Sequence, residues 1–126
     1  MLSLDGNTAP YLQYAHARIR SIFRRAGIGQ PTVAPISITH PAEHALALEL
    51  VNFGAVVADV EQSLEFHRLA GYLHTLAATF SGFYEHCPVL RAASEVRDSQ
   101  LALCDLTARV LHQCLHLLGI TTPDRM

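Results

Sequence analysis

The sequence predicts an all-α fold, an antiparallel bundle of about five helices forming one domain over residues 1–126. Three observations predict it. Apolar residues recur at spacings of three and four over long segments, the signature of helices with one buried face. Strand signals are nearly absent, since the one β-branched cluster, Thr32 to Thr39, is interrupted by Pro35. The chain is 126 residues long and 50% hydrophobic, which suits one well-buried core and is short for two.

The elements follow in order. Gly6-Asn7-Thr8-Ala9-Pro10 reads as a turn entering a helix, because Asn or Thr can cap free amides and proline is tolerated in the first turn. The first helix runs to about Ala26 and is stopped by Gly27-Ile28-Gly29-Gln30-Pro31. An irregular connector containing Pro31 and Pro35 extends to Thr39. A second helix spans Pro41 to Phe53, with Ala45, Leu46, Leu48, Leu50 and Val51 as its apolar positions. Gly54 marks a break before a short third helix, Ala55 to Leu64. The fourth covers Phe66 to His86, carried by Leu69, Tyr72, Leu73, Leu76, Phe80 and Phe83, and Pro88 ends it. The fifth runs from Ser94 to Leu118, with Gly119 as its terminator.

Several function classes fall away. No apolar run approaches the roughly 20 residues that cross a bilayer. Met1-Leu2-Ser3-Leu4-Asp5-Gly6 has no secretory-signal pattern, so the expected location is the cytoplasm. Cys87, Cys104 and Cys114 are odd in number and widely spaced, which predicts buried thiols in place of a disulfide framework or zinc site.

Charge is distributed unevenly. All nine basic residues are arginines, and Arg18, Arg20, Arg24 and Arg25 crowd into the first helix. Pro10 to Ala26 carries +4 with no acid, whereas Gly27 to Met126 sets five arginines against ten acids, or −5. A basic end on an otherwise acidic chain points to a polyanionic partner or to an exposed basic helix face.

At roughly 100° per residue, Leu12, Ala15, Ile19, Phe23 and Ala26 form the core side of the first helix. Beside them Tyr11, Tyr14, Arg18 and Arg25 follow spacings of three, four and seven, so two phenol rings and two guanidiniums share one edge. Arg20 and Arg24 are expected further round, toward solvent. Such an edge suits unpaired nucleotides, because a base stacked on an aromatic ring gains about 1–3 kcal/mol while arginines neutralise phosphates. On the residues alone, boundary tyrosines with a buried ring and a wet hydroxyl are the commoner reading of such a pattern.

The segment Gly6-Asn7-Thr8-Ala9-Pro10-Tyr11-Leu12-Gln13-Tyr14-Ala15-His16-Ala17-Arg18-Ile19 resembles the start of the C-terminal anticodon-binding (DALR) domain of arginyl-tRNA synthetases. Further blocks are similar in the same order: His40-Pro41-Ala42-Glu43-His44, His67-Arg68-Leu69, Phe80-Ser81-Gly82-Phe83-Tyr84-Glu85-His86-Cys87-Pro88-Val89-Leu90, Leu101-Ala102-Leu103-Cys104-Asp105, Leu115-His116-Leu117-Leu118-Gly119-Ile120 and Asp124-Arg125-Met126. The resemblance covers essentially the whole chain. It implies a helical bundle that holds the anticodon stem and loop of arginine tRNA, with a separate class I catalytic domain as its other partner. That domain joins arginine to tRNA using ATP. Neither a membrane nor DNA is an implied partner.

The resemblance also assigns roles. Tyr11, Tyr14 and Arg18 would face the anticodon loop, with Arg25 continuing the edge, and the family's C-terminal end nominates Arg125 and Met126. Every arginine codon has G in the middle, so every arginine anticodon has C there, and a pocket for that cytosine is expected. The chain has no His-Ile-Gly-His string and, lacking lysine, no Lys-Met-Ser-Lys-Ser string. These residues alone are therefore expected to hold no cofactor, no metal and no catalytic residue, with ATP belonging to the catalytic domain. A free-standing protein-interaction module built on the same fold is the alternative. Phe66 stands where many relatives have proline, which predicts third and fourth helices closer to continuous.

Other residues carry weaker signals. His112 and His116 lie four apart, and His40 and His44 flank the start of the second helix, but zinc needs three or four ligands. His16 and Gln13 fit either a polar contact to a nucleotide or a solvated surface. Asp105 and Arg109 are placed for an exposed i,i+4 ion pair contributing about 0.3–0.5 kcal/mol.

Overall fold

A computed structural model of the chain describes residues 8–27, 35–92 and 94–123. Among them are five α-helices, α1 (Thr8–Ala26), α2 (Pro41–Val51), α3 (Phe53–Ser63), α4 (Phe66–His86) and α5 (Ser94–Leu117), with a 3-10 turn at Val89–Arg91 between the last two. The all-α expectation holds. No helix among the described residues is long and apolar enough to cross a membrane.

The start of α2 is built by side chains. Nδ1 of His40 accepts from the Ala42 amide at 3.0 Å, and Oε1 of Glu43 accepts from the His40 amide at 2.8 Å, a reciprocal capping box. The same oxygen also accepts from the Thr39 amide and hydroxyl, both at 3.0 Å, and Oε2 accepts from Gln100 on α5 at 3.4 Å. Glu43 is thus only 1% exposed yet fully engaged. Burial pushes its carboxyl upward, but the hydrogen bonds from Thr39, His40 and Gln100 outweigh this and hold it below the ordinary carboxylate value. The connector before α2 is also fixed to α5, where the Ser99 hydroxyl accepts from the Ser37 amide at 2.8 Å.

Two junctions differ from the sequence reading. The break between α2 and α3 falls at Asn52, whose φ −71 and ψ −12 are nearly helical, and Gly54 lies inside α3. An interior glycine costs a helix only about 1 kcal/mol, so Gly54 does not compel a break. Nor do α3 and α4 approach continuity. Leu64 takes the left-handed conformation, φ 59 and ψ 24, and donates its amide to the Val60 carbonyl at 2.7 Å, closing α3. Arg68 then ties the corner together, pairing with Asp59 at 2.6 Å and Glu65 at 3.2 Å.

Helix α4 packs against each of the other four helices. Leu73, Leu76, Ala77, Phe80 and Phe83 on α4 are at most 1% exposed and meet Leu12, Ile19 and Ile22 of α1 and Leu103, Cys104, Leu111 and Leu115 of α5 in one apolar cluster. All three cysteines are free and buried, as expected. Burial raises the Cys114 thiol to about 12, and burial with the neighbouring Asp105 does the same for Cys104. Tyr11 lies beside His74 and Arg18 beside Tyr84, so α1 and α4 run in the same direction. His16 lies beside His112 and Arg20 near Asp105, so α5 runs antiparallel to α1.

Candidate functional site

The core positions of α1, Leu12, Ile19 and Ile22, are at most 1% exposed. Anchoring by these residues fixes the rotation of the helix and turns Tyr11, Tyr14, Arg18 and Arg25 outward together. Tyr14 is 61% exposed and Tyr11 40%. Arg18 and Arg25 are exposed as well. Both tyrosines are exposed residues, Tyr14 more so than a boundary position with a buried ring requires.

Helix α4 contributes two rings that sequence reasoning did not single out. The His74 ring lies 5.3 Å from that of Tyr11, tilted by 36°. The Arg18 guanidinium carbon lies 5.0 Å above the Tyr84 ring, and Tyr84 in turn stacks on buried Phe80 at 6.2 Å and 8°. A cation held over a ring this way gains about 0.5–1 kcal/mol at an exposed site. More important for recognition, the stack restrains a long side chain that otherwise loses about 2 kcal/mol of rotamer entropy when it binds. Only the parallel packing of α1 and α4 brings these residues together; the available sequence signal was the Phe80-Ser81-Gly82-Phe83-Tyr84 block.

Other sequence expectations need correction. Arg20 does not point to open solvent: it lies 3.9 Å from Asp105, which also pairs with Arg109 at 3.1 Å. The anticipated Asp105–Arg109 pair is therefore present but part of a group of three, with Asp105 mostly covered between α1 and α5. His16 is 3% exposed and packs at 6.0 Å from His112, so it is not solvated surface. Gln13 donates at 2.8 Å to the Thr121 carbonyl oxygen, which brings the segment after α5 beside the start of α1. Arg125 and Met126 lie outside the described residues. Among the described residues no group of three or more His, Cys, Asp or Glu side chains is placed to hold a metal ion.

Fold and site define a class, an all-α bundle domain presenting rings and guanidiniums along one edge of its first helix. The model of a protein family described as DALR anticodon binding domain matches residues 12–126, and the chain belongs to that family. It is 57% identical to the arginine-tRNA ligase of Thermobifida fusca and 56% identical to that of Frankia casuarinae, in each case over 100% of its own length. Those alignments take in 22% and 21% of the two relatives, so the chain spans about a fifth of their length. Among solved structures it superposes on Thermus thermophilus arginyl-tRNA synthetase with a TM-score of 0.86 and 39% identity, covering 98% of this chain and 22% of that one. The arginyl-tRNA synthetase of Plasmodium falciparum gives 0.80 and 30%, covering 100% and 22%.

Proposed function

We propose that this domain binds the anticodon stem and loop of arginine tRNA, in the service of arginyl-tRNA formation by a class I catalytic domain. Tyr14 is the principal stacking surface, with Tyr11 beside it. Arg18 and Arg25 neutralise flanking phosphates, and Arg125 and Met126 complete the contact from the C-terminal side. His74 and Tyr84 extend the same face from α4. On this reading these residues bind and orient RNA, while the ATP-dependent ligation of arginine belongs to the catalytic domain and requires no cofactor here.

The single observation that carries the reading is Tyr14, a residue 61% exposed, one turn from a guanidinium stacked on Tyr84. A half-buried tyrosine needs no such exposure, whereas a nucleotide base needs an uncovered ring and a nearby fixed cation. The family's description as an anticodon binding domain, with relatives that are arginine-tRNA ligases, supports the anticodon of arginine tRNA as the RNA concerned.

The test is a titration of the chain with arginine tRNA across a series of salt concentrations. Two phosphate contacts to a single-stranded loop predict a slope of log affinity against log salt of about −1.4. Saturable binding that weakens with salt supports the reading. A chain that captures protein but no RNA, with no salt dependence, supports the protein-interaction alternative instead.

A further inference from the structure

Helix α2 carries apolar residues on every side, yet only one side of it is covered. Leu46 and Leu50 enter the core beside the bonded Glu43, whereas Ala45, Leu48 and Val51 recur at spacings of three as an outer ridge. Leu48 is 57% exposed and Val51 80%. A helix that is hydrophobic all round belongs in an interior. Beyond Asn52, α3 adds exposed Ala55 and Ala58.

Charge argues against RNA as the cover. Residues 41–63 hold Glu43, Glu49, Asp59 and Glu61 and no arginine, so this face repels phosphates. It also lies away from the candidate site. The Tyr72 hydroxyl donates to the Glu49 carbonyl at 2.6 Å, which puts α2 on that side of α4, while Tyr11 meets His74, about 200° round the same helix. Area argues against a second copy or another free partner, because one short ridge falls short of the roughly 800 Å² per partner that a free-standing complex buries. A surface in the same polypeptide needs less, since tethering holds it at an effective concentration of about millimolar. The Thermobifida fusca and Frankia casuarinae ligases have such chain to supply, about four-fifths of each lying outside the matched part.

We infer that the ridge of Ala45, Leu48 and Val51 seats an apolar surface of the catalytic part of the synthetase, tethered in the same polypeptide. Docked there, the catalytic part leaves the Tyr11 and Tyr14 edge of α1 open to RNA. This rests on the reading above only in giving the domain a catalytic part as its partner, and its test needs no RNA to succeed.

The test is thiol labelling of Leu48→Cys and Val51→Cys, each made in the 126-residue chain and in a full-length ligase where this chain replaces the matched part of the Thermobifida fusca protein. Cys87, Cys104 and Cys114 are buried and do not compete. Ala78→Cys, exposed on the His74 side of α4, is the control. A contact with a Kd of about 0.1 mM is closed about nine-tenths of the time at millimolar effective concentration, so both ridge thiols should label roughly tenfold more slowly in the full-length protein. The control should keep its rate. Adding Leu48→Glu to Val51→Cys should restore rapid labelling, because a charge is costly to bury unpaired against an apolar surface. Equal ridge labelling in the two proteins overturns the inference. So does slowing within the 126-residue chain, either as its own concentration rises, which makes a second copy the occupant, or on addition of arginine tRNA. Failure of the chain to bind tRNA sinks the anticodon reading and leaves the labelling result standing.

Discussion

The guanidinium of Arg18 lies 5.0 Å above the ring of Tyr84, which joins an exposed cation on α1 to the buried Phe80 through one aromatic stack. The charge proposed to meet a phosphate is thus positioned by the same helix that organises the core. Replacing Tyr84 with Phe keeps the ring, and tRNA affinity should stay within about twofold. Tyr84→Leu removes the stack and should weaken binding by about 0.5–1 kcal/mol, two- to fivefold. Filter binding of the two variants at one salt concentration checks the difference.

Tyr14→Ala removes an open ring of the candidate site without touching the core. Loss of one base stack predicts binding weaker by about 1–3 kcal/mol. Thermal melting should be unchanged, because an open surface side chain contributes little to folding. A melting temperature that fell with the affinity would place Tyr14 in the fold and remove it from the site.

Glu43 joins the connector, the start of α2 and α5 through one carboxylate. Its folded-state acidity is strengthened, so its contribution to stability is present above the ordinary carboxylate value and is lost as pH falls through the lower folded value. The chain should therefore lose stability on acidification over that range. Glu43→Gln should cost about 1–3 kcal/mol at neutral pH, because amide protons replace an acceptor facing several donors. It should also flatten the acid limb. Denaturant unfolding of both proteins from pH 7 to pH 3 tests both statements.

Cys104 and Cys114 carry thiols raised to about 12 by their surroundings, and both are fully buried. Because the thiolate is the reactive form, neither should react with a thiol reagent in the folded chain at neutral pH. Both should label on unfolding. Rapid labelling of the native protein would show that α5 does not pack as described.

Much of the fold was legible because it depends on periodicity. Helix α4 runs Phe66–His86, the span its apolar residues dictate, and α5 begins at Ser94 as expected. The corners were less legible. Leu64 closes α3 in a left-handed conformation that leucine seldom adopts, so no local residue type announced it. Gly54 announced a break that the neighbouring Asn52 makes instead. The exposed edge of Tyr11, Tyr14, Arg18 and Arg25 was readable because helical spacing alone aligns it. His74 and Tyr84 were not, since they join it only through the parallel docking of α4. Arg20 was misplaced for the same reason, its direction being set by Asp105 on another helix.

The most direct test of the anticodon reading is the affinity of this chain for two stem-loops that differ only at the middle anticodon base, one carrying the cytosine common to all arginine anticodons. Selective recognition predicts that the cytosine form binds at least tenfold more tightly, about 1.4 kcal/mol, and that Tyr14→Ala narrows the gap. Equal affinity for the two stem-loops would contradict it.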